Sequence, residues 1–537
     1  MRKSWSNIYK IALLSLMVVS CEDDFEEINT NPNEPEVVLS NTIFNSATKE
    51  LMDETRDEFT AARMSIPWMQ YWAQTSYADE DRYLYRETSA ESFYEFSFRV
   101  ASDLKKIIDF NTDPETSGLM SSVGNNDNQI AACRIILSYI FHQLVDTYGD
   151  IPYYSFGSNN PDFQGLDIDN EVFLPKFAEQ EDIYLDILSE LNAASDQINT
   201  SEPVFTSGDN IYGGDAVKWK KFANSLILRV ANRYKGVNPT VATAAINEAV
   251  ANGVFESNDD NAIQAYEQAD ATASPLYSAF FVDNRTDFAV AAPFINLLKG
   301  DVGFGLDPRL FEFAAPIEAT IASVQADNYV NAAGETLAED NPDDYTGIPY
   351  TFPSVNLIPF TTYSFASSNV LRQDFGEVFM EYSEVAFILS ENNAWSQSDY
   401  ENGVRASMER WGVDALDIDA FVTSMPAASE ETVLTQKYIA LYMQGGESWA
   451  EYRRTGFPKT LLLPNQTGVL DADQVASSVQ ITSPDYVFIP LEDVDDLPSR
   501  IRYPVVLQTL NGANRQEAAN KLTNGDNIDS KLFWDVN

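Results

Sequence analysis

Apolar residues along this chain recur mostly at spacings of three and four, the period of one face of an α-helix. In EDIYLDILSELNAASDQI, Ile183, Ile187, Leu191, Ala194 and Ile198 fall at such intervals. In DAVKWKKFANSLILRVANRY the same holds for Trp219, Phe222, Leu226 and Val230, with Asp215 placed as an N-cap for the first free backbone N–H groups. FGEVFMEYSEVAFILSENNA, ENGVRASMERWG and TVLTQKYIALYMQGGESWAEYRRTG repeat the behaviour. The pattern predicts a mainly α protein of paired amphipathic helices, stacked as tetratricopeptide-like hairpins, although the regular repeat of that class is absent.

Two regions break the rhythm. Residues 111–127 read as a Gly- and Asn-rich loop. Residues 333–372 hold YTGIPYTFPSVNLIPFTTYSFASS, punctuated by Gly347, Pro349, Pro353 and Pro359. Loops this long are uncommon in compact domains unless they carry function. This one also carries Tyr345, Tyr350, Phe352, Phe360, Tyr363 and Phe365 without helix or strand periodicity, which predicts a binding surface. No stretch reads as a separately bounded second domain, so residues 39–537 are expected to form one body.

The N-terminus follows a different logic. IALLSLMVVSCEDDF, at 11–25, is an apolar run too short to span a bilayer, preceded by Arg2, Lys3 and Lys10. A positive tip, a short apolar centre and a small residue before the break describe a signal peptide over residues 1–20. The order Val18, Val19, Ser20, Cys21 resembles a lipobox, in which Cys21 becomes the lipidated first residue. Residues 22–38, EDDFEEINTNPNEPEVV, are acidic and Pro-containing and read as a flexible tether from that anchor.

Charge narrows the partners. With 82 acidic residues against 34 basic ones the formal charge is −48, which repels nucleic acid and anionic lipid alike. The 44% hydrophobic and 12% aromatic content is enough for a large core and for rings at a surface. Beyond Cys21 the remaining thiol is Cys133, which shares a helical face with Ile130 and Ile140 and reads as a small buried hydrophobe.

Catalytic chemistry finds little support. His142 is the single histidine and lies mid-helix in SYIFHQLVDTYGDIPYY, the setting of a structural histidine. The dinucleotide, Walker and nucleophile-elbow motifs are absent. Glycosidases need two carboxylates, and none of the many here stands in a distinguishing context. Asp167, Asp169 and Glu171 alternate and could offer oxygens to calcium, but the EF-hand glycine and terminal glutamate are missing, so no cofactor is expected.

IPWMQYWAQTSYADEDRYLYRE, residues 66–87, is the more informative cluster. Trp68 and Trp72 lie four apart and read as core. After Tyr77 the run turns polar, with Asp79, Asp81, Arg82, Tyr83, Tyr85 and Arg86. Flat rings stack on apolar sugar faces, and acids or arginines hydrogen-bond hydroxyls, so the run suits a neutral polar ligand; a salt-bridged helix-end loop would look similar.

The chain resembles the SusD/RagB family of surface lipoproteins nearly end to end. The marks are FEEINTNPN after Cys21, LVDTYGDIPYY at 144–154, KWKKFANSLILRVANR at 218–233 and DPRL at 307–310. EYSEVAFILSE at 381–391, TQKYIALYMQGGESWAEYRRTGFP at 435–458, LPSRIRYP at 497–504 and FWD at 533–535 complete them. The resemblance implies helical hairpins packed against a loop-rich ligand-binding half. It also implies export to the outer face of the outer membrane, signalled by Glu22, Asp23 and Asp24 after the lipid cysteine. The implied partner is a SusC-type TonB-dependent transporter, over which the lipoprotein acts as a lid, and no catalytic residue is required. Ligand residues do not transfer from the family, so the candidates rest on chemistry and loop position: Tyr77, Asp79, Arg82 and Tyr83, with Tyr345, Tyr350 and Phe352. A glycan ligand leads on the strength of the aromatic loops. Oligopeptide capture, a surface glycoside hydrolase and a structural scaffold remain the alternatives.

Overall fold

The helical spacings become helices in the computed structural model, which describes residues 37–300 and 303–535; the apolar run, Cys21 and the tether up to residue 36 lie outside them. The longer helices are α1 Ser40–Thr55, α2 Glu87–Thr112, α3 Asn126–Tyr148, α4 Gln180–Gln197, α5 Ala216–Tyr234 and α6 Pro239–Asn252. They continue as α7 Tyr382–Asn392, α8 Gln397–Trp411, α9 Ala415–Ser424, α10 Glu430–Ala440, α11 Gly445–Thr455 and α12 Gly512–Lys521. Each of α1 to α6 packs on the next, so the first half is a run of hairpins; α7 packs on α8, α10 and α5, joining the second group to the first. Local chemistry explains the boundaries. Asp215 caps α5 as expected, accepting from the N–H groups of Val217 and Lys218. Ser429 and Thr432 form a capping box on α10, and Gly412 at φ 88° ends α8 in a conformation that costs other residues a Cβ clash.

Helix α3 is buried around almost its whole circumference, which makes it the axis of the helical half. Cys133 lies on it, fully buried, and desolvation pushes its thiol pKa up, so it packs as a hydrophobe. The region 111–127 departs from the expected loop. α2 runs on to Thr112, and short turns at Ser117–Met120 and Ser121–Val123 lead into α3, with only a few residues irregular. Asn125 explains the difference, because its side chain caps α3 by accepting from the Asn128 N–H; Asn-rich composition served a helix start rather than a loop.

The arginines and carboxylates of the sequence marks meet in one buried network. Arg229 of α5 grips Glu384 of α7 at 2.6 Å, and Arg233 one turn on bonds Asp146 of α3 and Glu447 and Glu451 of α11. Lys437 reaches Glu451 at 2.8 Å, and Arg454 bonds Glu391 at 2.7 Å and Glu451 at 2.8 Å. Arg453 lies 3.6 Å over the Trp449 ring and 4.8 Å from Trp534, and donates to the carbonyls of Asp146 and Ser499. Burial alone would raise Glu447, but Arg233 and Arg229 beside it hold it down at about 2. KWKKFANSLILRVANR and SWAEYRRTG are thus packing elements, with Trp219, Phe222 and Trp449 all in the core.

Strands are short and serve the other half. β1 Trp72–Gln74 pairs antiparallel with β3 Phe288–Val290, β2 Ala262–Gln264 with β4 Glu377–Met380, and β5 Thr467–Val469 with β6 Asp485–Val487. Residues 333–372 contain only single 3₁₀ turns, at Pro342–Asp344, Val355–Leu357 and Phe360–Thr362, as the lack of periodicity predicted. Gly347 anchors this stretch. Its Cα passes so near the backbone of Ala291 and Ala292 that a Cβ there would stand 2.3 Å from Ala292 Cα, and Ala291 bridges Ile348 in parallel.

Candidate ligand-binding face

The 66–87 run is split between three local conformations. Trp68 ends the short helix Ser65–Trp68 and Trp72 opens β1, so the two do not share a helix, yet both are buried as expected. The Trp72 indole N–H donates to the Tyr442 hydroxyl at 2.8 Å. Beyond β1 the chain surfaces. Tyr77 is half-buried, its hydroxyl 3.4 Å from an Asp287 carboxylate oxygen that Arg285 also holds at 2.9 Å. Asp79 is exposed, and its carbonyl accepts from the N–H groups of Arg82 and Leu84, closing a turn. Arg82 is half-buried, with Nε donating to the Ile489 carbonyl at 2.8 Å while its own carbonyl accepts from Leu491 N–H at 2.7 Å.

Tyr83 goes the other way. At φ 67° the backbone is in the left-handed region, which turns its ring inward against Trp68 and Phe488 until it is fully buried. Tyr350 is likewise fully buried, edge-on to Phe488 at 5.9 Å, ahead of Thr351 at φ 62°. Phe352 is half-buried and meets Tyr486 edge-on at 5.2 Å, and the Tyr486 hydroxyl donates to the Tyr350 carbonyl at 2.6 Å. Tyr345 is buried elsewhere, against Phe311 at 5.3 Å, with its hydroxyl bonded to the Glu339 carbonyl.

The structure therefore groups Arg82, Tyr83, Tyr350 and Phe352 around segment 486–491, with Tyr77 and Asp79 on the adjoining turn. Three expectations need correcting: Tyr83, Tyr345 and Tyr350 present no surface to a ligand in this conformation. Rings this large lose more by staying in water than a loop gains by displaying them, and each found an apolar wall to lie against. They position the loops. The exposed or half-exposed set is Tyr77, Asp79, Arg82 and Phe352, with Phe360 at 51% exposure nearby in sequence.

Two contributors escaped the sequence reading. Asp287 and Arg285 precede β3 and reach Tyr77 only because β1 and β3 pair. Tyr486, Phe488 and Ile489 stand on or beside the β5–β6 hairpin, whose alternation in DYVFI was the available signal. Beneath the turn, Asp81 is fully buried; desolvation raises its carboxyl well above the usual range, and one oxygen accepts from Gln74 N–H at 2.9 Å. Its other oxygen, both amide atoms of Gln74 and the Thr351 hydroxyl complete no hydrogen bond within the protein.

The hydrolytic alternatives gain nothing from the geometry. Desolvation lowers His142 to about 4, which keeps it neutral at pH 7 inside the core, beside Asp146 and Tyr184. Asp169 pairs with Lys105 at 3.3 Å and Asp167 accepts from Asn170. Among the described residues no group of three or more His, Cys, Asp or Glu stands ready to hold a metal ion, and no helix is long and apolar enough to cross a membrane.

Comparison with known proteins accounts for this architecture. No curated protein sequence matches the chain. Among solved structures, a chitin-binding protein superposes with a TM-score of 0.69 at 23% identity, covering 93% of this chain and all of its own. A SusD homolog from Bacteroides uniformis gives 0.68 at 23% identity, over 92% of this chain and 99% of that one. A chitin-binding SusD homolog from Flavobacterium johnsoniae gives 0.66 at 19% identity, again over 92% and 99%. Residues 32–480 match the family described as starch-binding and associating with the outer membrane, and residues 426–535 match the SusD and RagB outer membrane lipoproteins. These family matches span most of the sequence: the chain belongs to the SusD-like family of outer-membrane lipoproteins.

Proposed function

We propose that this protein captures a glycan at the cell surface and passes it to a SusC-type TonB-dependent transporter, without cleaving it. One observation carries the reading: Tyr77, Arg82 and Phe352 stay half-buried and Asp79 exposed, on loops whose neighbours Tyr83 and Tyr350 both pack on Phe488. Rings can stack on the apolar face of a sugar while the guanidinium and carboxylate bond its hydroxyls, and neither group is needed as acid or nucleophile. Family membership supports the role, and relatives of the same fold that are named as chitin-binding support the ligand class. Lipidation of Cys21 after removal of residues 1–20, with residues 21–38 as tether to a body spanning 39–537, completes the proposal. A long flexible tether keeps the binding body near its partner and lets it swing.

Calorimetric titration of the soluble protein lacking the lipid cysteine, against insoluble-chain fragments, other oligosaccharides and peptides, tests the ligand. The expected outcome is binding to one glycan class without product formation, weakened by Tyr77→Ala or Phe352→Ala. Binding confined to peptides would replace the glycan, and turnover would replace the carrier. Cys21→Ala is expected to abolish lipid labelling and membrane retention; protein still labelled would remove the anchor.

A further inference from the structure

The β5–β6 hairpin turns an apolar face outward. Its other face is occupied: Phe488 is fully buried, and Tyr486 packs on Phe352 and covers Gly468, where a Cβ would stand 2.3 Å from the tyrosine ring. Alternation along each strand sends the neighbours of these residues the opposite way. Thr467 opposes Val487 and Val469 opposes Asp485, so these four share the outer face, and Ile489 continues it. Val469 is 63% exposed, Val487 47% and Ile489 58%. An antiparallel pair with one face in water ordinarily shows polar side chains there, and branched apolar ones stand here instead.

The same hairpin leaves a strand edge free. Phe488 N–H donates to the Gln466 carbonyl and Leu470 N–H to that of Pro484, so residues 466, 468 and 470 turn their backbone groups toward β6. The N–H and C=O groups of Thr467 and Val469 therefore point away from it, and among the described residues no other backbone or side-chain group bonds them. The outer edge of β6 is different, because the Ile489 carbonyl accepts from Arg82 Nε and the Leu491 N–H donates to the Arg82 carbonyl. An open edge beside an apolar face is the arrangement to which an extended chain adds as a further strand.

Charge selects the chain. Asp485 stands on the face itself, Asp471 and Asp473 follow β5, and Asp493 and Asp495 follow Leu491, all of them exposed. Residues 465–499 hold no lysine, arginine or histidine. A second copy of this chain would set the same acids against these. The chain's own residues 22–36, with Glu22, Asp23, Asp24, Glu26 and Glu27 and no basic residue, would be repelled as well. We infer that the β5 edge binds an extended segment of another protein, apolar at its centre and basic at its flanks. The backbone of that segment pairs with Thr467 and Val469, its apolar side chains lie beside Val469 and Val487, and its flanking cations meet the aspartates. The inference stands whatever ligand the Tyr77 face takes.

Fluorescence-polarisation titration of the soluble protein lacking the lipid cysteine, with a short labelled peptide of alternating valine and threonine between paired lysines, tests this. Saturable binding is expected, falling as salt is added and lost when the lysines are replaced by glutamates. Val469→Pro removes an edge donor that the hairpin itself does not use, and is expected to weaken binding about tenfold with the fold retained. Leu416→Lys, at an exposed apolar position on α9, is expected to leave it unchanged. In the unaltered protein the Thr467 and Val469 amides are expected to exchange hydrogen more slowly once the peptide is bound, which adhesion without strand pairing would not produce. Unchanged exchange at both amides with peptide bound would overturn the inference. So would the absence of saturable binding, equal binding of the glutamate-flanked peptide, equal loss with Leu416→Lys, or self-association of the protein that Val469→Pro abolishes.

Discussion

Charge is handled in opposite ways by the helical half and the loop face. In the first, Arg229, Arg233 and Arg454 are sunk among Glu384, Asp146, Glu447, Glu451 and Glu391, several partners to each guanidinium. On the loop face Arg82 stays half exposed, tied down by one backbone carbonyl, and Asp79 stands in water. Buried ions must be satisfied several times over to offset their desolvation, so such a network specifies which helices meet and at what register. A recognition surface needs the reverse, polar groups whose bonding capacity is still free. Both regions nevertheless keep buried polar atoms that complete no hydrogen bond within the protein, on Gln74, Asp81 and Thr351 beneath the loop face and on Arg233 and Glu447 in the network.

Breaking the network should produce the largest effect. Arg233→Met leaves Asp146, Glu447 and Glu451 buried without their shared cation, and a loss of about 3–5 kcal/mol is expected in urea unfolding. A loss below 1 kcal/mol would mean that the network is dispensable. Next comes the loop anchor. Gly347→Ala forces a Cβ into the Ala292 backbone, and a destabilisation of about 1–3 kcal/mol is expected, with weaker ligand binding as residues 345–352 shift. The ligand face itself should respond in affinity and hardly in stability: Arg82→Ala is expected to weaken glycan binding by about tenfold while moving the melting temperature little.

The smallest effect sharpens the comparison through pH. Burial raises Glu377 on β4 to about 7, with Arg56 opposing it, so its protonated form is the one the fold favours. Its contribution to stability is complete below its unfolded value near 4.5 and disappears as pH rises through about 7. Glu447, held at about 2, behaves inversely: its contribution is present above 4.5 and fades as the solution is acidified toward 2. Melting curves of Glu377→Gln are expected to flatten the decline between pH 4.5 and 7 and leave the acid limb intact. A wild-type slope in the variant would assign that decline to another group.

These contrasts explain what could be read in advance. Trp219, Phe222 and Asp215 announce α5 because burial on a helix demands a fixed spacing and a cap at a fixed place. Arg229, Arg233, Glu447 and Glu451 sit at helical offsets for the same reason, so their segments are recognisable. Tyr83 and Tyr350 were legible as loop aromatics, but nothing local records that a left-handed backbone turns one inward or that both pack on Phe488. Tyr345 was drawn to the wrong neighbours because sequence proximity to Tyr350 says little in a stretch without periodicity. Asp287 meets Tyr77 and Tyr486 meets Tyr350 across 210 and 136 residues, and such separations leave no local trace.

Trp534 closes one side of the Arg453 sandwich and also lies 5.5 Å from Arg233, a residue translated some three hundred positions earlier. During vectorial synthesis Arg233 can meet Asp146 early, but its network can be completed only once α11 and the FWD segment have both been made. The nascent chain is thereby discouraged from locking its charged centre early. The feature that ties α3, α5 and α11 together is thus one that no N-terminal fragment ending before residue 534 contains whole.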